Sequence, residues 1–89
     1  MNDAKNQLQA ASNAIEFYRE QGYDEAVLSA LKKMFDEYLQ TKLNYDELAV
    51  YFDEALQLNG VHYDNAKVYV IMMNALLKFK ELSSVQNNS

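Results

Sequence analysis

Apolar positions recur along this chain at spacings of three and four residues, in four runs separated by polar or glycine-containing breaks. That period is the mark of amphipathic helices. The first run covers residues 3–20, with Leu8, Ala11, Ile15 and Tyr18 on one face. Asp3 stands where a cap belongs and Gly22 follows the last turn, where a left-handed residue costs least. The second covers residues 24–41, with Val27, Leu28, Leu31, Met34, Phe35 and Tyr38 as a broad apolar face and Asp24 as cap. Tyr23 and Leu28 stand at hydrophobic-staple spacing across its start.

The third run covers residues 45–58. Asn44 and Glu47 have the spacing of a capping box, Leu43 and Leu48 that of a staple, and Leu48, Tyr51, Phe52, Ala55 and Leu56 form the apolar stripe. Asn59-Gly60 ends it. The fourth covers residues 65–82, capped by Asp64, with Val68, Met72, Ala75, Phe79 and Leu82 repeating at helical spacing. Ile71, Met73, Leu76 and Leu77 widen that stripe until little of the middle is polar, which predicts a helix packed by the other three. Ser83 to Ser89 is polar and reads as a short disordered tail. Tyr-Asp recurs at residues 23–24, 45–46 and 63–64, the same helix-start chemistry used three times rather than a structural repeat. Short connections favour antiparallel neighbours. The expected fold is an all-α, antiparallel, up-down-up-down four-helix bundle filling one domain, residues 1–89.

Composition agrees. The 89 residues suffice for one core, and the chain carries no proline, no cysteine and two glycines. The absence of cysteine excludes disulfides, thiolate nucleophiles and cysteine-bound zinc. The start of the chain lacks the basic and apolar regions of a secretion signal, and no apolar run reaches the roughly 20 residues of a membrane span, so a cytoplasmic protein without membrane insertion is expected. The net charge of −5 argues against binding nucleic acid, which rests on neutralising phosphates.

Candidate chemistry is sparse. His62, the single histidine, stands in the last connector with no triad-like partner nearby in sequence. The paired carboxylates lack the Glu-x-x-His pattern of di-iron bundles and the loop of a calcium site, and no phosphate-binding loop is present. Neither catalysis, a metal nor a cofactor is expected. Charge distribution is more informative. Between Tyr45 and Gly60 the acids Asp46, Glu47, Asp53 and Glu54 meet no basic residue. Val50 falls among them on the face opposite the core stripe. An apolar residue among acids suits a basic, amphipathic protein partner. Among the seven tyrosines and four phenylalanines, Phe17 and Tyr69 stand at the margins of their stripes and are candidates for surface roles.

From Tyr23 to Leu82 the chain resembles the small helical immunity proteins, of the enterocin A type, that protect lactic-acid bacteria from their own pediocin-like bacteriocins. The resemblance rests on the helical stretches Leu31–Leu39 and Leu43–Leu58 and on the connector Leu58-Asn59-Gly60-Val61-His62-Tyr63. It implies an antiparallel four-helix bundle that protects the producer cell by acting at the cytoplasmic face of a sugar-transporter receptor, with specificity in the C-terminal half. On that basis Val50, His62, Lys78 and Lys80 would belong to the recognition surface. The acidic charge and short tail depart from the family's usual basic charge and longer C-terminal segment. Two other readings start from the residues alone. One is an acidic phage- or plasmid-type regulator that covers a basic protein surface through Asp46, Glu47, Asp53 and Glu54. The other is a homodimer whose seam is the surplus apolar surface of the fourth helix.

Overall fold

The computed structural model describes the backbone of residues 3–87 and the side chains of residues 5–84. Four helices follow one another: α1 (Asp3–Glu20), α2 (Glu25–Thr41), α3 (Tyr45–Leu58) and α4 (Asn65–Asn87). Each packs against its neighbours in a closed ring, α1 on α2, α2 on α3, α3 on α4 and α4 back on α1. This is the antiparallel all-α bundle that the periodicity predicts. The fourth helix is the exception to its expected limits. It runs five residues beyond Leu82, because no glycine or proline interrupts Ser83–Asn87 and the helical ladder has no reason to stop. Asn88 and Ser89, the rest of the expected tail, lie outside the described residues.

Local signals set the helix ends. At α3 the box is complete: the Asn44 side chain accepts from the Glu47 amide at 2.8 Å, and Glu47 accepts from the Asn44 amide at 3.4 Å. At α4, Asp64 accepts from the Lys67 amide at 2.8 Å. Asp24 holds the cap position of α2 with extended backbone, but its side chain makes no cap bond. There Arg19, at the end of α1, donates to both carboxylate oxygens of Glu25 at 2.8 and 3.0 Å, clasping the turn from outside. The Asp3 side chain lies outside the described residues.

Two glycines close helices in the same way. Gly22 (φ 94°) and Gly60 (φ 80°) take the left-handed conformation. Around them Tyr23 donates to the Tyr18 carbonyl at 3.2 Å and Val61 to the Leu56 carbonyl at 2.9 Å. These are Schellman closures, whose usual apolar clasp is supplied at α1 by the Tyr18 and Tyr23 rings, 5.1 Å apart. Lys42 ends α2 with φ 55°, a left-handed residue without glycine's freedom.

The core contains Leu28, Leu31, Met34 and Phe35 of α2, Leu48, Phe52 and Leu56 of α3, and Val68, Met72, Leu76 and Phe79 of α4, with no buried polar side chain among the described residues. Phe79 reaches across the bundle to the Phe35 ring at 5.6 Å. Two expectations change here. On α1 the face turns: Ala10 and Ala14 are fully buried, Ala11 and Tyr18 nearly so, and Ile15 only half, while Leu8 is 57% exposed. Small side chains at the centre of that face suit a ring whose interior the bulkier α2, α3 and α4 already fill. The second change concerns α4, which occupies a corner of the ring rather than its centre. Of its extra apolar residues Ile71 and Leu76 are buried and Met73 is half-buried, while Leu77 faces outward, 61% exposed, as does Val70 at 58%.

Candidate functional site

Residues 46, 50 and 53 stand four and three apart, so one side of α3 presents Asp46, Val50 and Asp53 in a line. Val50 is 59% exposed. That line borders α4, and between the two helices lies an open groove of about 300 Å³ lined by Asp46, Ala49, Val50, Asp53, Asn65, Val68 and Tyr69. Ala49 and Val68 are buried and form an apolar floor. Asp46 accepts a hydrogen bond from the Tyr69 hydroxyl, tying α3 to α4 at the rim. Donation to this carboxylate pushes the Tyr69 pKa up. Asp53 accepts from the Gln57 side chain at 2.9 Å. Both acids thus bond neutral groups beside an apolar floor, and among the described residues neither forms an ion pair.

A second groove, of about 280 Å³, lies between α1 and α2. Leu8, Ala11, Ile15 and Phe35 line it, with Glu16, Arg19, Lys32 and Asp36 at the rim. Sequence reasoning missed it by placing Leu8 in the core. Its charges are compensated: Arg19 pairs with Glu16 and Glu25, and Lys32 with Asp36 at 3.3 Å. The Glu25 pKa is lowered by its bonds to Arg19. The α3–α4 groove is the candidate site because its charge is uncompensated.

The remaining sequence candidates separate around it. Glu47 is exposed but committed to the capping box, and Glu54 is exposed; at 100° per residue both fall on the flank of Val50 away from the groove. His62 is exposed in the α3–α4 connector. Lys78 and Lys80 point about 160° apart around α4. Lys78 is half-buried, with its ammonium 4.2 Å from the centre of the Phe17 ring on α1 and 2.9 Å from Glu81. Lys80 turns towards α3, where the Tyr45 hydroxyl lies 3.1 Å away and holds the Lys80 pKa up. The structure therefore unites Asp46, Val50 and Asp53, and keeps Lys78 apart from them.

Tyr69, Asn65, Val68 and Ala49 complete the groove without having been grouped by sequence. Only Tyr69 carried a signal, as an aromatic at the margin of its stripe. Among the described residues, no group of three or more His, Asp or Glu side chains is placed to hold a metal ion. Nor is any helix there long and apolar enough to cross a membrane. No family model, curated protein or solved structure matches the chain.

Proposed function

We propose that this chain is a non-enzymatic, protein-binding bundle whose α3–α4 groove accepts an apolar side chain from a basic partner. The observation that carries the reading is the uncompensated charge of Asp46 and Asp53 beside the exposed Val50 and the apolar floor of Ala49 and Val68. A partner inserting an aliphatic side chain there would place flanking Lys or Arg residues against the two aspartates. Charges of this kind speed encounter and fix orientation, while the apolar contact holds the complex.

The resemblance to bacteriocin immunity proteins supplies a setting for such a partner inside a producer cell: a sugar-transporter receptor occupied by bacteriocin. The α3–α4 half is also the part to which that resemblance assigns specificity. The same acids favour a second reading, an acidic regulator that occupies the surface of a soluble basic protein.

Capture of host proteins on the tagged chain, at low and moderate salt and with Val50→Lys in parallel, tests both. Recovery of a transporter subunit only when bacteriocin is added supports immunity. A soluble basic protein lost as salt rises supports the regulator. Either protein held equally by wild type and Val50→Lys would contradict the assignment of the groove. In producer cells, immunity further requires that protection vanish when α4 is exchanged for that of another immunity protein.

A further inference from the structure

Among the described residues no other element covers the outer face of α4 at Val70 and Leu77. Val70 and Leu77, one heptad apart, are more than half exposed, with the exposed Asn74 between them and the half-buried Met73 alongside. The ends of this stripe carry opposite charges: Lys67 stands seven residues before Asn74 and Glu81 seven residues after it. A stripe with that symmetry is complementary to itself when turned end for end. We propose that α4 pairs antiparallel with α4 of a second copy of this chain, about a two-fold axis passing near Asn74.

In that arrangement Val70 of each chain meets Leu77 of the other. The two Asn74 amides face each other, and each has a donor and an acceptor to offer. Lys67 of each chain approaches Glu81 of the other, so two ion pairs close the ends of the seam. Within one chain Lys78 already sits 2.9 Å from Glu81, so Glu81 would lie between two ammonium groups. A parallel pairing would set Lys67 on Lys67 and Glu81 on Glu81, and like charges in register are repulsive. The central asparagine adds register, since a polar side chain inside an apolar helix seam is satisfied in only one alignment. The Asp46–Val50–Asp53 line is on α3 and outside this seam, so dimerisation does not depend on the proposed function of the groove.

Sedimentation equilibrium over a wide concentration range tests the pairing. Wild type is expected to be a concentration-dependent dimer. Leu77→Glu, which buries an unpaired charge in the seam, should raise the dimer Kd by at least roughly a hundredfold while leaving the helical circular dichroism unchanged. Val50→Lys should dimerise as wild type does. Lys67→Glu and Glu81→Lys should each weaken the dimer roughly tenfold, and the double exchange Lys67→Glu/Glu81→Lys should restore it, because each ion pair is rebuilt with its charges reversed. A wild-type chain that stays monomeric to millimolar concentration overturns the proposal and leaves the face to a different protein. A dimer that the double exchange fails to restore overturns the antiparallel alignment.

Discussion

A single side chain separates the candidate site from an ordinary acidic helix face. On the proposed function, Val50 makes Asp46 and Asp53 the frame of an apolar contact rather than a solvated acidic face. Val50 is exposed and supports no core contact, so Val50→Lys should change stability by no more than about 0.5 kcal/mol, measured by urea unfolding. On the proposed function, its effect belongs to binding. Ionisation at this scale is also directional. The folded pKa of Glu25 lies below its unfolded value because Arg19 bonds the carboxylate, so its stabilisation is present above the ordinary glutamate range and is lost as pH falls through the depressed folded value. Glu25→Gln should therefore flatten the acid limb of the stability–pH profile. An unchanged limb would mean the clasp contributes nothing in solution. Tyr69 has the opposite sign. Its raised pKa means that the link to Asp46 persists up to the ordinary tyrosine range and is lost as pH rises through the folded value.

Helix ends divide into those a sequence specifies and those it only suggests. Asn44, Asp64 and Asp24 look alike in sequence, each a short polar residue before an apolar run. The structure gives side-chain cap bonds to Asn44 and Asp64 and none to Asp24. Asn44→Ala should accordingly cost about 1 kcal/mol, and Asp24→Ala only a few tenths, in chemical unfolding of the two variants. Equal losses would contradict the assignment of the caps. The box at α3 was legible because its partners lie three residues apart and need nothing from the rest of the fold. The fate of Asp24 was not, because its place before an apolar run is the same as that of Asn44 and Asp64, and the bond from Arg19 to the neighbouring Glu25 spans the preceding turn. Rotation of helices is hidden for a related reason. Period alone places Leu8 on the same stripe as Ala11 and Ile15, and only the neighbours of α1 decide that Ala10 and Ala14 take the centre.

At the scale of the molecule, four amphipathic runs with short connections leave few arrangements, and the ring of antiparallel helices follows from them. What periodicity does not convey is which helix gets a corner. An apolar majority on α4 suggests a central helix, yet a four-membered ring has no central place, so the surplus appears at the surface as Val70 and Leu77. The groove was half legible. Asp46, Val50 and Asp53 share one helix and are grouped by spacing; Asn65, Val68 and Tyr69 come from α4 and meet them only through packing. A core this small has little reserve. Domains of this size are stable by roughly 5–10 kcal/mol, and Phe52, fully buried, should cost about 3–5 kcal/mol as Phe52→Ala. Thermal unfolding should then begin at markedly lower temperature, whereas Met34→Leu, which conserves volume, should cost less than about 1.5 kcal/mol.

On the proposed function, the α3–α4 groove binds a protein through an apolar contact flanked by two aspartates that bond only neutral groups. Titration calorimetry of the captured partner against wild type, Val50→Lys and Asp46→Asn/Asp53→Asn, at two salt concentrations, tests it most directly. Val50→Lys should abolish the heat of binding, and the double asparagine variant should bind more weakly with a reduced dependence on salt. Unchanged affinity in both variants, with their folds intact, would overturn this reading and place the binding surface elsewhere on the bundle.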